Sequence, residues 1–490
     1  MTSERLVLVL DEGTSSTRAL LYSVDGSLIA TAQQQVAQHY PRPGWVEHDA
    51  GEIWERTLAC GRDMMVRAGG ADRVAAIGIT NQRETALAWD RSTGQPLTHA
   101  IVWQDRRTSN RCRELKDAGH EPAVSAATGL LLDPYFSATK WRWMLDHVPA
   151  VTSAAASGTL ALGTIESWLV WKLSGGAHVS DASNASRTLL LPLHGGGFDI
   201  GLCDLFGVPH KSLPEVVDTA GPIAACDPRW FGAAIPICGL AGDQQAATIG
   251  QGCLAPGATK ATFGSGAFIL TSTGTAAPRS SHRLLTTVLS QVGGERLFAL
   301  EGSIFVAGSM IEWLRDGLGW IENAAETEAL ARDHDNGGVT VVPALAGLGA
   351  PHWRPDAKAA ILGLTLGTRR EQIVRAALES IAHQCSDLQA AFAADGAAWR
   401  SLRIDGGMAA NGWLAQDLSD ILGIPVERPT DIESTARGAA MLAAVGAGLY
   451  ASLEGAQAML APLERFEPAM PASVRQERIT GWHKSLDSIL

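Results

Sequence analysis

The segment Asp11-Glu12-Gly13-Thr14-Ser15-Ser16-Thr17-Arg18 has the composition of a turn that handles phosphate. A carboxylate at a strand end can reach a hydrated divalent cation, and Gly13 lets the backbone approach a ligand without interference from a Cβ atom. The hydroxyls of Thr14, Ser15 and Ser16 are short donors suited to phosphoryl oxygens. The same residue types dominate ordinary polar turns, so this segment alone leaves both readings open. Two later stretches repeat the theme. Ala261 to Leu270 reads as a strand broken at Gly264-Ser265-Gly266, and Leu402 to Asp405 reads as a strand followed by a Gly406-Gly407 turn and a helix from Asn411 to Leu422. Such a unit brings backbone N–H groups close to a nucleotide. No GxGxxG fingerprint accompanies it and no Walker A motif occurs, so a bound nucleotide requires another fold.

The elements that must position these turns follow from hydrophobic patterning. Leu6 to Leu10 before the first turn and Ala19 to Val24 after it form a β-hairpin. Val74 to Thr80 reads as a strand, Pro134 to His147 as helical, and Ile165 to Leu173 continues the alternation, which predicts an α/β class. Short Ala clusters at 154–156 and 439–444 read as helix or tight packing. Similar glycine turns in the two halves point to two related domains facing each other across a nucleotide.

A chain of 490 residues is too long for one core, so two domains with a ligand cleft between them are expected. With 46% hydrophobic and 18% charged residues the chain is an ordinary globular one, and its net charge of -12 argues against a nucleic-acid partner. An anionic cosubstrate such as ATP would need Mg²⁺, backbone N–H groups and a few basic side chains around it. The cysteines at 60, 112, 203, 226, 238, 253 and 385 form no CxxC pair and read as buried thiols in a reducing compartment. No apolar stretch reaches membrane-spanning length and Met1 to Arg5 lack a signal-peptide layout, which gives a cytoplasmic protein without membrane insertion as the expectation.

Further segments carry a resemblance over essentially the whole chain: Pro43 to Asp49, Gly78 to Thr85, Ile101 to Gln104, Asp133 to Phe136, Asn184 to Thr188 and Ala241 to Ala247, with longer patterns at Tyr135 to His147 and Ala359 to Glu379. In this order and register they resemble the glycerol-phosphorylating members of the FGGY carbohydrate-kinase family. The resemblance implies two RNase-H-like domains of the actin, Hsp70 and hexokinase (ASKHA) type. Residues 1–250 would form the acceptor-binding domain with the phosphate hairpin, and residues 251–490 the nucleotide domain. It also implies MgATP-dependent phosphorylation of glycerol to sn-glycerol 3-phosphate by a homo-oligomer, a dimer or tetramer.

By the same resemblance Asp243 is the catalytic base, and a carboxylate there can accept the hydroxyl proton as the bond to phosphorus forms. An Asp at that place also suits a helix cap ahead of Gln244. The family places Arg83, Glu84, Tyr135 and Gln244, with Asp243, on glycerol, and Trp103 and Phe268 as an apolar wall against its carbons. A small neutral polyol offers no charge, so specificity rests on placed polar partners that are costly to leave unpaired. Neighbouring strand residues point to opposite faces, so Arg83 and Glu84 reach one ligand only where the chain has left strand geometry. Matching nucleotide positions are Thr14, Ser15, Ser16 and Arg18, then Ser265, Gly308, Glu312, Gly407 and Asn411. Asp11 and Asp243 match the Mg²⁺ side. Closure of the domains about a hinge near residue 250 would exclude water. His48 reads as structural, and Trp141 and Trp143 as packing.

Four positions depart from the pattern of well-known bacterial members: Glu12 for Gln, Ser265 for Thr, Glu312 for Gln, and Arg354 for Asp. Glu12 would weaken ATP binding if it faced the nucleotide and would be without effect if it faced away. Ala225 to Pro236 lacks the Gly-rich, Arg-containing loop with which some members bind fructose 1,6-bisphosphate, so no such inhibition is expected; a titration that lowered activity at micromolar effector would overturn this. A kinase for another polyol or ketose is the alternative within the same fold, and an ATP-driven switch without acceptor chemistry is the alternative outside it.

Overall fold

The computed structural model describes residues 5–354 and 356–490. One sheet of thirteen strands runs through the molecule, numbered here along the chain: β1 Leu6–Glu12, β2 Ser16–Ser23, β3 Leu28–Gln35, β4 Val74–Asn81, β5 Ala220–Ala225, β6 Pro236–Gly242, β7 Thr259–Phe263, β8 Ala267–Gly274, β9 Leu285–Val292, β10 Glu295–Ile304, β11 Leu402–Asp405, β12 Val426–Pro429 and β13 Leu463–Phe466. Their spatial order is 13-12-11-7-8-10-9-5-6-4-1-2-3.

That order contains one unit twice. In the first half β3, β2 and β1 form an antiparallel meander, and β4 and β6 then add parallel to β1. In the second half β10, β8 and β7 form the meander, and β11 and β12 add parallel to β7. This is the RNase-H-like arrangement in duplicate, as expected. The halves join where β5 meets β9 at the single pair Ala220 and Val292.

The sequence accounts for the placement. Strand β1 is apolar on both faces and buried throughout, as a central strand covered by helices must be. Leu6, Leu8 and Leu10 face a core with the helix α1, Ala50–Ala68, whose N-terminus is capped by the Asp49 carboxylate accepting from the N–H groups of Gly51 and Glu52. Val7 and Val9 face the opposite core, shared by the two halves. There the helix α2, Asp243–Gly250, crosses the helix α3, Ser434–Gly446. The crossing demands glycine: a Cβ on Gly438 would lie 1.8 Å from the Ala246 carbonyl oxygen, and one on Gly250 1.9 Å from that of Ser434.

Two expectations change. The helix after Asp133 runs over Ser137–His147, not from Pro134, because Asp133 accepts from the Tyr135 N–H (2.9 Å) and holds a turn there. Ile165–Ser174 is a helix, with Ile165 and Leu169 in the core against α1. Trp141 is buried, whereas Trp143 is half-buried and stacks on His147 with ring centroids 4.6 Å apart.

Candidate active site

Two cavities meet at the glycine turn between β7 and β8. The first, about 490 Å³, is lined by Ser265, Gly308, Glu312, Gly407 and Asn411 together with Ile311, Arg315, Ala325, Thr327, Glu328 and Met408. Its apolar stretch of Ile311, Ala325 and Met408 suits a flat heterocycle. Gly308 and Gly407 leave backbone open to a ligand, and at Gly308 a Cβ would lie 2.5 Å from the Gly264 carbonyl oxygen. Asn411 caps the following helix through Oδ1, accepting from the Leu414 N–H at 3.0 Å, while its Nδ2 donates to Thr327 Oγ1.

The second cavity, about 280 Å³, is lined by Arg83, Glu84, Trp103, Tyr135, Asp243, Gln244 and Phe268, with Thr14 and Ser15 of the first hairpin and Thr262 to Gly266 around the second, Phe263 excepted. All seven residues expected around an acceptor are therefore together. Gly264 and Ser265 line both cavities. Ser16 and Arg18 line neither: Ser16 Oγ accepts from Gln33 Nε2 at 2.9 Å, and the Arg18 guanidinium lies between Asp11 and Glu433.

Local backbone explains how adjacent residues share one cavity. Strand β4 ends at Asn81, and Glu84 takes φ +60°, so Arg83 and Glu84 no longer alternate across a sheet. The Glu84 carbonyl accepts from Ser137 Oγ (3.1 Å) and Lys140 Nζ (3.2 Å), which fixes that conformation. Lys140 also donates to the Tyr135 carbonyl at 2.6 Å, and burial lowers its ammonium to about 7. Trp103 donates from Nε1 to Thr14 Oγ1 at 3.0 Å and meets Phe268 and Tyr135 edge-on, at 6.1 and 5.8 Å between centroids. That forms an apolar wall with a polar rim.

Asp243 is the first residue of α2 and follows β6, parallel to β4. Its carboxylate accepts from the Gln244 N–H at 2.7 Å and faces Arg83 Nε at 3.3 Å, and about a third of its side chain (32%) opens to the cleft. Burial raises its carboxyl above the usual carboxylate range, with Arg83 and Lys260 pulling the other way. Asp11 sits beside Thr80, which sits beside Ala241, on three neighbouring parallel strands. Among the described residues no group of three or more His, Cys, Asp or Glu side chains is placed to hold a metal alone. Mg²⁺ takes one or two carboxylates and keeps water and phosphate at its other positions; the Asp243 carboxylate, open to the cleft, suits that mode, whereas Asp11 lines neither cavity and its carboxylate pairs with the Arg18 guanidinium.

Glu12 faces away from both cavities, toward α1. It accepts from Thr57 Oγ1 at 3.1 Å, and burial pushes its carboxyl up to about 8. Arg354 also stands apart, paired with Asp356 and donating to the Leu490 carbonyl at 2.6 Å. His48 is buried, its Nδ1 3.3 Å from Gln82 Nε2, and the same Gln82 nitrogen donates to the Gly13 carbonyl at 3.1 Å. His48 thereby braces the hairpin tip.

Patterning passed over several residues. Lys260 donates to Gln244 Oε1 and Thr262 Oγ1, Gln245 Oε1 lies 3.4 Å from Arg83, and Arg187 and Glu301 lie under Arg83 and Glu84. Arg187 and Gln245 lie inside the motifs that carry the family resemblance, which was the available signal; Glu301 directly follows the apolar run Leu297 to Leu300 and carries none of its own.

A duplicated RNase-H-like sheet, with one cavity in its second half adjoining another lined by both halves, defines the actin and hexokinase class of fold. The chain belongs to the FGGY family of carbohydrate kinases: the N-terminal domain of that family matches residues 6–250 and the C-terminal domain residues 259–447. A glycerol kinase from Methylobacterium nodulans is 52% identical over 99% of this chain and 98% of its own, and one from Rhodospirillum rubrum is 52% identical over 97% of each. The crystal structure of Plasmodium falciparum glycerol kinase with ADP superposes with a TM-score of 0.92 at 33% identity, covering 99% of this chain and 98% of its own. No helix among the described residues is long and apolar enough to cross a membrane.

Proposed function

We propose that the protein transfers the γ-phosphoryl group of ATP to a terminal hydroxyl of glycerol, giving sn-glycerol 3-phosphate and ADP. The observation that carries the reading is the shared wall at Gly264 and Ser265, which joins a nucleotide-sized cavity to a small one lined by Arg83, Glu84, Tyr135, Asp243 and Gln244 against Trp103 and Phe268. Asp243 accepts the proton of the attacking hydroxyl. Its raised carboxyl is a stronger base than a free Asp, and Arg83 beside it keeps it oriented. Thr14, Ser15 and Ser265 donate to phosphoryl oxygens as charge builds there. Mg²⁺, held through Asp11 and Asp243, would neutralise phosphate charge. The apolar wall takes the glycerol carbons and leaves the hydroxyls to the polar residues.

We also assign residues 1–250 and 251–490 to two domains that move about the α2–α3 crossing. Coupled assay of ATP turnover over glycerol, erythritol, ribitol and xylulose tests the acceptor, with glycerol expected to give the highest kcat/KM. Asp243→Asn should lower kcat by about 10²–10⁴-fold with glycerol still bound; retained turnover would sink the role of base.

A further inference from the structure

At the floor of the acceptor cavity four almost wholly buried charged side chains, Arg83, Glu84, Arg187 and Glu301, form one connected set. Glu301, on β10 of the second half, is fully buried and directly follows the apolar run Leu297 to Leu300. Its carboxylate grips Arg83 end-on, Oε2 to Nη1 at 2.5 Å and Oε1 to Nη2 at 3.2 Å. Oε1 also accepts from Arg187 Nη2 at 2.9 Å, and Arg187 Nε donates to Glu84 Oε1 at 2.6 Å. One carboxylate therefore sets Arg83 directly and Glu84 through Arg187. Burial alone would raise the Glu301 carboxyl, but Arg187 and Arg83 hold it down at about 2, so it is an anion at any working pH.

Stability alone gives little reason for this arrangement, because well-packed apolar side chains commonly match or exceed a buried ion cluster. Orientation does. With both terminal nitrogens of Arg83 held by Glu301, its Nε edge is turned to Asp243 at 3.3 Å and Nη2 to the Tyr135 hydroxyl at 3.3 Å. Arg83, Glu84 and Arg187 all come from the first half, so the second half reaches across to fix the acceptor-binding groups. Gln245 makes the same crossing, donating from Nε2 to Thr287 Oγ1 and the Val288 carbonyl on β9.

We propose that Glu301, acting through Arg83 and Arg187, is a positioning residue for the acceptor, contributed by the half that carries the nucleotide-sized cavity. This rests on the acceptor site assigned above. The test is steady-state kinetics of Glu301→Asp and Glu301→Gln, with Arg187→Lys alongside. Aspartate keeps the charge but withdraws it by one methylene, and glutamine keeps the shape but loses the charge. We expect both Glu301 variants to raise the glycerol KM by about tenfold or more, glutamine further than aspartate, with the ATP KM within about twofold of the parent. Arg187→Lys should act in the same direction, since Lys cannot bridge Glu84 and Glu301 as a planar fork does.

Folding is checked separately by the thermal shift that ADP produces. Variants that fold, respond to ADP and keep the parent glycerol KM would overturn the proposal. So would failure of both Glu301 variants to fold, which would make Glu301 part of the framework only. If the parent protein itself does not phosphorylate glycerol, the acceptor assignment fails instead, and the same KM comparison is read with whichever polyol of the panel it does phosphorylate.

Discussion

Lys260 Nζ donates to Gln244 Oε1 across 2.5 Å inside the wall of the acceptor cavity. An ammonium has only donors, so the contact fixes which end of the amide is which: the oxygen faces Lys260 and Nε2 is left to the cavity. Gln244 therefore offers an N–H to the acceptor, complementing the carboxylates of Asp243 and Glu84. Gln244→Glu keeps the contact with Lys260 and removes that donor. Its glycerol KM should rise by about 10–100-fold, read by steady-state kinetics, with little change for ATP.

Glu12 gives a prediction about stability and pH. Its carboxyl titrates near 8 in the folded chain against an ordinary value of 4.5. The native state thus holds a proton that the unfolded state has released, and stability falls as pH rises from about 4.5 to about 8. Glu12→Gln removes this dependence. The stability difference between the variant and the parent, read as a shift in melting temperature, should be small at pH 5 and largest in favour of the variant at pH 8, where it is worth on the order of a few kcal/mol. ATP affinity should not change, because the side chain faces α1.

Lys140 holds two acceptor residues by their backbones, through the carbonyls of Glu84 and Tyr135. Lys140→Met removes both donors at nearly constant volume. The positive φ of Glu84 then rests on Ser137 alone. A glycerol KM raised by about tenfold is expected, with a melting temperature several degrees lower, since two buried carbonyls lose a charged donor.

Gly438→Ala tests the helix crossing. The added methyl would lie 1.8 Å from the Ala246 carbonyl oxygen, so the helices must part, at a cost of about 1–3 kcal/mol or more. Gly197→Ala, where a Cβ meets nothing within 4 Å, is the control and should change stability by less than about 0.5 kcal/mol. Chemical denaturation of both variants provides the comparison.

What the sequence made legible was local. The two hairpins and the strand, turn and helix from Leu402 to Leu422 were readable because glycine and hydroxyl residues interrupt short apolar runs within a few positions. The face that Glu12 occupies follows from the alternation that puts Leu8 and Leu10 against α1, but only the fold says which face meets the ligand. Glu301 and Lys260 were not readable. Gln244 lies on another element from Lys260, and Arg83 and Arg187 lie far along the chain from Glu301, so nothing in a single strand announces what the buried charge is held against. The apolar run from Ile165 to Leu173 shows the same limit: its pattern suits a buried strand or a buried helix, and the contact with α1 decides.

The helix α2 carries Asp243 as its first residue, and it meets α3 closely at Ala246 and again at Gly250. Over its length of about 12 Å a tilt of about 10° would carry the carboxylate about 2 Å. In-line attack tolerates far less than that. The aim of the Asp243 carboxylate therefore depends on two glycines remote from the cavity, and whatever parts the helices at Gly438 also turns that carboxylate away.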